Sequence, residues 1–329
     1  MRLGIAVQGS WGFFEEIYAD LSAHHQTQLF SPRKVAVPFV QEWVNWRLFR
    51  RDLQTFLNRN DVVFFEWASG LLKAASQLRK AAGYVTRLHR YELYQWANKI
   101  KWETVDKIIL VSKAKQREFS ERLPEHASKT VVIPEAISLE KYEFQPRPFR
   151  GDIGILCHIT PRKRVYELIL AFYELLRSGY DFRLHIGGGQ KPLYMDYYNA
   201  VHALVKKLCI QNQVIFYDHV DNPQTWYHNI DILISNSYSE GLQVSPMEAM
   251  ASGCYCLSHF WDGVEEMLPA ENLYLTNGEL IEKILQYSDA SENERQSRRE
   301  LMRSIVDERF NIDKIKFQIR SVIEQVEAI

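Results

Sequence analysis

The stretch Asp231-Ile232-Leu233-Ile234-Ser235-Asn236-Ser237-Tyr238-Ser239-Glu240-Gly241-Leu242-Gln243-Val244-Ser245-Pro246-Met247-Glu248-Ala249-Met250-Ala251-Ser252-Gly253 decides the fold. The apolar run Ile232–Ser235 predicts a short strand buried on both faces. A polar loop follows, and 245–252 predicts a short helix that Gly253 stops. Two carboxylates, Glu240 and Glu248, stand eight residues apart. Gly241 lets a backbone approach a ligand closely. The loop runs into a helix start, whose free N–H groups and positive dipole end favour phosphate. A plainer reading exists for each acid. Ser245-Pro246-Met247-Glu248 also reads as a capping box with proline at the first helical position. Glu240 also reads as a solvated loop acid.

The same strand-then-helix rhythm extends in both directions. Upstream, 2–7, 61–65, 84–88, 107–111 and 130–133 read as strands, with helices at 13–24 and 70–82. Near Phe144-Gln145-Pro146-Arg147-Pro148 two prolines suit an extended linker. Beyond it 152–157, 183–186, 214–217, 232–235 and 255–258 read as strands. Helices fall at 165–178, 194–208 and about 312–326. Short apolar strands alternating with helices predict parallel sheets built of βαβ units. The expected fold is α/β, with two Rossmann-like doubly wound domains facing a deep cleft. The expected division is 1–147, 148–310, and a C-terminal helix at 311–329 returning toward the first domain. Ligands of such sheets bind at the C-terminal ends of the strands.

The stretch 231–253 resembles the Glu-x7-Glu region of retaining glycosyltransferase family 4, which has the GT-B fold and includes bacterial polysaccharide and glycolipid glycosyltransferases. The family pattern is an aspartate, an apolar strand, a serine, Glu-Gly, and a second glutamate followed by Ala-Met-Ala-x-Gly. Other segments fall in the family's order. Thr160-Pro161-Arg162-Lys163-Arg164 resembles its diphosphate-binding basic loop, with Lys163 at the usual lysine. Gly187-Gly188-Gly189 resembles its glycine turn, and 214–220 the segment near the nucleotide base. Ile133-Pro134-Glu135-Ala136-Ile137 resembles the segment before the interdomain linker. His158 stands where the family carries an arginine, with Arg162 as another source of that charge. Gln243 replaces the second glycine of the usual turn.

The resemblance implies a retaining sugar transfer from a nucleoside diphosphate donor to a hydroxyl acceptor on a glycan, glycolipid or small molecule. It gives Lys163 and Arg162 to the diphosphate, Glu240 to the donor sugar and Glu248 to the ribose. Backbone N–H groups of Leu242, Gln243 and Val244 would reach sugar or phosphate, and Tyr217, Asp218 and His219 would lie near the base. His89 would face the donor sugar from the first domain, although a histidine at a strand end also reads as structural. Gly9-Ser10-Trp11-Gly12 resembles the family's first glycine-containing loop. Its spacing is not the dinucleotide fingerprint, which discounts a nicotinamide cofactor. No Asp-x-Asp triplet occurs, so the expectation is leaving-group stabilisation without metal or cofactor. The rival readings are a phosphorylase or epimerase on a similar fold, and a non-catalytic nucleotide-sugar binding protein.

Composition bounds these readings. The 329 residues carry 46% hydrophobic and 25% charged side chains, ordinary for a globular chain. No apolar run reaches the roughly 18–20 residues of a membrane span, and Met1–Val7 is too short for a signal peptide, so a cytoplasmic location is expected. The four cysteines, Cys157, Cys209, Cys254 and Cys256, are too few for a disulfide framework. Residues 1–150 hold 23 Lys+Arg against 16 Asp+Glu, or +7, and 151–329 hold 17 against 25, or −8. The first half is therefore suited to an anionic partner, and no nucleic-acid module is recognisable in it. Phe39, Trp43, Trp46, Phe49, Leu53 and Phe56 recur at helical spacing among Arg47, Arg50 and Arg51, just after Arg33-Lys34. Residues 39–57 read either as a peripheral contact with the inner membrane face or as a helix packed on the sheet.

Overall fold

The computed structural model describes residues 1–9, 11–12, 14–33, 35–36, 41–145 and 147–327. Ser10, Lys34, Phe39 and Pro146, singled out above, lie outside the described residues. The chain divides into two compact units: 1–135 together with the segment from Ile312 onward, and Ala136–Asn311.

The first unit is built on six parallel strands, β1 (Arg2–Val7), β2 (Gln26–Leu29), β3 (Val62–Glu66), β4 (Gly83–Leu88), β5 (Lys107–Leu110) and β6 (Thr130–Val132), in the order β2-β1-β3-β4-β5-β6. All five residues of β3 are buried, because helices cover both faces of a parallel sheet. Val63 and Phe65 share a core with Leu53, Phe56 and Leu57 of the helix Gln41–Arg59. Phe64 stacks on Phe14 with ring centroids 5.7 Å apart. The helix Ile312–Glu327 buries Ile315, Ile319, Ile323 and Val326 at spacings of three and four. It comes down so closely that a Cβ on Gly83 would lie 2.4 Å from Val326.

The second unit repeats the plan with β7 (Asp152–Leu156), β8 (Arg183–Gly187), β9 (Val214–Tyr217), β10 (Ile232–Ser235), β11 (Tyr255–His259) and β12 (Leu273–Tyr274), ordered β12-β11-β10-β7-β8-β9. The chain lays down β7, β8 and β9 outward, then returns to place β10 on the other side of β7. Strand order reverses between β7 and β10, and ligands of open α/β sheets bind outside the strand ends at such a point. In the first sheet the reversal falls between β1 and β3.

Several expectations need correction. The division between units falls after Glu135, not after Arg147. The Ile137 N–H donates to the Phe310 carbonyl at 2.9 Å, and Arg147 donates to the Tyr227 carbonyl at 3.2 Å, so 136–145 and Arg147 are packed in the second unit rather than free as a linker. The helix at 70–82 ends at Ser76, since the chain must turn to enter β4. The helix of the key stretch runs Val244–Ala251 with Gln243 as its N-cap and no side-chain cap. With Val244 as the first helical residue, Pro246 falls at the third position instead of the first, so the capping-box reading of Glu248 fails.

Candidate functional site

Two loops meet at the reversal point of the second sheet. One leaves β7 through Cys157–Thr160, makes a tight turn at Pro161–Lys163, and enters the helix Val165–Leu176. Arg164 sits at φ 51°, a left-handed conformation that costs free energy for a non-glycine residue. Asn236 holds it there, donating to the Arg164 carbonyl at 2.8 Å while accepting from the Tyr274 hydroxyl at 2.8 Å. The other loop leaves β10 and carries Glu240 and Gln243 to the helix Val244–Ala251.

Four of the expected site residues converge here. Glu240 pairs with Arg162 and receives Lys163 Nζ at 2.7 Å. Gln243 Nε2 donates to Glu240 Oε1 at 3.2 Å, and Gln243 Oε1 accepts from the Ser235 hydroxyl. Arg162 also donates to the Ser239 carbonyl at 2.9 Å. Burial pushes the Glu240 carboxyl up, but Lys163 and Arg162 beside it outweigh burial and hold it below the ordinary carboxylate range. Glu240 is only 8% exposed, so in this buried group the cations hold a fixed negative charge. Among the described residues, the N–H groups of Gly241, Leu242 and Gln243 donate no intramolecular hydrogen bond. The Val244 N–H begins the helix and is one of its unpaired donors.

The glycine turn after β8 packs on the first loop. Gly188 has φ +114°, and a Cβ on it would lie 1.9 Å from the Cys157 carbonyl oxygen. The Cys157 N–H donates to the Gly187 carbonyl at 2.9 Å, and Ile159 to Gly189 at 3.2 Å. These glycines therefore shape the basic loop from behind.

Other expected residues are placed apart from this cluster. His158 is exposed, and partial burial with Lys191 and Lys163 nearby pushes its imidazole below the usual value. Both effects disfavour the charge that an arginine would carry there. Tyr217 turns its hydroxyl to His185 at 3.0 Å, within a chain that continues to Asp152 at 2.9 Å. Asp218 accepts from Tyr198 at 3.3 Å, and His219 is exposed beside Asp221. Glu248 accepts from the Tyr142 hydroxyl at 2.7 Å and the Tyr227 hydroxyl at 2.8 Å. Burial pushes its carboxyl up despite both bonds. Nothing in the sequence pattern joined Tyr142 to Glu248, because they are 106 residues apart.

In the first unit His89 follows β4, and both its ring nitrogens are engaged. Nε2 lies 3.2 Å from Glu66 and Nδ1 2.6 Å from Glu135. Glu66 also pairs with Arg87 at 2.8 Å, and Arg87 lies 3.5 Å from Glu135. Burial alone would lower the imidazole, but Glu135 and Glu66 overcome it and raise His89 to about 9. Burial likewise opposes the charge on Glu135, while Arg87 and His89 hold it down to about 2. Both ring nitrogens of His89 therefore face carboxylates, which favours the charged imidazole. Trp67, at φ 71°, stacks on it with centroids 4.1 Å apart, and Gly9 lies against the indole. Trp11 packs on Phe14 and Tyr18, and Gly12 follows it in the same turn. Sequence reading missed Glu66 and Arg87. The available signal was a single charge near the end of each strand, Glu66 in β3 and Arg87 in β4.

Residues 150–289 match the family described as "Glycosyl transferases group 1". A poly(glycerol-phosphate) alpha-glucosyltransferase of Bacillus subtilis is 23% identical over 129 residues, covering 39% of this chain and 18% of that protein. An alpha-monoglucosyldiacylglycerol synthase of Streptococcus pneumoniae is 27% identical over 145 residues, covering 39% of this chain and 32% of that protein. The chain thus matches less than a third of the length of either curated relative. Among solved structures, Anabaena Alr3699/HepE in complex with UDP and glucose superposes with a TM-score of 0.78 at 18% identity, over 98% of this chain and 99% of that one. Sucrose-phosphate synthase from Thermosynechococcus elongatus gives 0.78 at 13% identity over 100% of both chains. The fold is therefore that of the GT-B glycosyltransferases. The family match at 150–289 lies within its second unit.

Proposed function

We propose that this chain transfers a sugar from a nucleoside diphosphate donor to a hydroxyl acceptor, retaining the anomeric configuration and using no metal ion. The observation that carries this reading is the convergence of Arg162, Lys163, Glu240 and Gln243 at the reversal point of the second sheet, inside the matched segment. Lys163 and Arg162 stabilise the departing diphosphate, with the unpaired N–H groups at 242–244 adding donors. Glu240 and Gln243 hold the donor sugar. Glu248 takes the ribose hydroxyls on lone pairs its two tyrosines leave open, and those tyrosines fix its rotamer. Uridine is the first base to try, because the Anabaena neighbour holds UDP. The names of the curated relatives favour a glycan or glycolipid acceptor.

A thermal-shift panel of nucleoside diphosphates and their sugars, with and without a chelator, tests the donor site. A ligand at 100-fold its Kd adds about 2.7 kcal/mol, or roughly 5–10 °C for a unit of this size. The expected result is a selective rise that chelator leaves unchanged and Lys163→Ala abolishes. No rise with any nucleotide overturns the donor site. Turnover with a glycan or glycolipid acceptor, lost in Glu240→Ala, separates a transferase from a nucleotide-sugar binding protein.

We further propose that the first two turns of the helix Gln41–Arg59 rest on an anionic membrane surface. Leu53 and Phe56 of this helix are buried, but Trp43 and Trp46 are 56% and 54% exposed. Arg47 lies 4.1 Å over the Trp43 ring and Arg50 4.9 Å over Trp46. Exposed indoles beside guanidinium groups suit the headgroup region of anionic lipid. No described helix is long and apolar enough to cross a membrane, so this contact is peripheral, with the chain working at the cytoplasmic face. Trp43→Ala/Trp46→Ala is expected to cut co-sedimentation with phosphatidylglycerol-containing vesicles several-fold. Equal sedimentation of variant and parent overturns the contact.

A further inference from the structure

We infer that a pocket on the edge of the first sheet binds a phosphate group. The pocket lies between the outer strand β2 with the segment after it and the helix Gln41–Arg59, with a volume of about 400 Å³, within the range of small-ligand sites. Three guanidinium groups line it, from Arg33, Arg51 and Arg59, against one carboxylate, Asp52. Arg51, Thr55 and Arg59 follow one another at i, i+4 and i+8, so the helix presents them as one stripe. Ser31 and Gln28 add polar groups from the strand side, and Gln28 is steadied by Asn60, which donates to it at 3.4 Å.

The charge count decides what the pocket takes. Asp52 is already used by Arg33, which donates to it from its backbone N–H at 3.0 Å and from Nε at 3.1 Å. Bonding to Arg33 holds the Asp52 carboxyl below its ordinary range, against burial and with smaller help from Arg51. Among the described residues the Arg59 side chain makes no ion pair or hydrogen bond, and the Arg51 guanidinium reaches Asp52 only through space. The lining therefore keeps about two uncompensated positive charges, Arg51 and Arg59, about two turns apart on one helix. A phosphate group carries a matching charge and three acceptor oxygens, and guanidinium groups bind it in fork geometry. The surrounding unit is basic overall: 1–135 with 312–329 hold 23 Lys+Arg against 17 Asp+Glu. The phosphate comes either from a soluble phosphorylated saccharide or from a lipid headgroup, and the pocket stands whether or not the donor-site reading does.

The test uses full-length protein carrying Lys163→Ala, which removes the other candidate anion site. Melting is followed with inorganic phosphate against chloride at equal ionic strength. Phosphate is expected to raise the midpoint, and Arg51→Gln/Arg59→Gln to weaken apparent phosphate affinity at least about tenfold, or ~1.4 kcal/mol. Both residues are exposed and glutamine suits a helix, so this variant should fold; Arg51→Lys/Arg59→Lys should keep part of the response. Vesicles of phosphatidylcholine with and without phosphatidylglycerol distinguish the sources. If anionic vesicles retain the parent but not the glutamine variant, the phosphate belongs to a lipid; if phosphate binds and vesicles retain both equally or neither, it belongs to a soluble ligand. A full phosphate response in the glutamine variant overturns the pocket. So does an equal loss in Lys206→Gln/Lys207→Gln, which removes the same charge from the second unit.

Discussion

Lys163→Ala is expected to lower kcat/KM for sugar transfer by about 10²–10³-fold, as removal of one preorganised charge stabiliser does elsewhere. The loss falls mainly on kcat if Lys163 acts on charge that develops as the diphosphate leaves, because only interactions stronger in the transition state speed the chemical step. Lys163 has a second effect. It lies 2.7 Å from Glu240, and together with Arg162 it keeps that buried carboxyl ionised. Without Lys163 the burial that opposes ionisation is less fully countered, and the Glu240 pKa rises. The acid limb of the rate profile should then move to higher pH. Glu240→Gln keeps the shape and removes the titration, so its acid limb should flatten while its rate stays low. Steady-state kinetics across pH 4.5–8 on the three proteins checks this. An unshifted acid limb in Lys163→Ala would show that Glu240 does not limit the rate.

The stretch 231–253 was readable because its signals are local. Ile232–Ser235 matches the observed strand, and Gly253, at φ +87°, ends the helix where expected. The basic loop was readable for the same reason, since Pro161 and the charges at 162–164 are contiguous. What sequence reading missed depends on distant pairing. The edge strand Gln26–Leu29 is polar and mostly exposed, so no apolar run marks it; it exists because β1 offers it a hydrogen-bonding edge. Tyr142 lies just before the stretch that reads as linker, and its place beside Glu248 follows from the packing of 136–145 in the second unit. In the helix Gln41–Arg59 the C-terminal half is core, as the packed-helix reading expects, while the N-terminal indoles are exposed. Helical spacing alone does not reveal where along a helix the neighbouring sheet stops.

Glu66→Ala should produce the largest stability loss in the first unit, about 3–5 kcal/mol, because it leaves buried cations without their partner. Arg87 is 1% exposed and Glu66 fully buried, so water cannot replace the lost carboxylate. In a unit of roughly 150 residues that corresponds to about 6–20 °C in Tm. Glu66→Gln separates charge from packing: it fills the space, keeps a hydrogen-bonding oxygen for Arg87, and should still lose much of this stability. The pH dependence provides a second check. His89 is raised from 6.5 to about 9 in the folded state, so its contribution is complete below pH 6.5 and is lost as pH rises through 9. Glu135 is depressed from 4.5 to about 2, so its contribution is present above pH 4.5 and is lost as pH falls through 2. The cluster is therefore at full strength between about pH 4.5 and 6.5. Urea unfolding from pH 6 to 9.5 should show the native first unit weakening across that range, with the slope much reduced in His89→Gln. A native protein equally stable at both ends would mean that His89 is neutral in the fold, and that Glu66 and Glu135 are balanced by Arg87 alone. Because Trp67 stacks on this imidazole at the C-terminal end of β3, a change in its charge should also appear in tryptophan fluorescence over the same pH range.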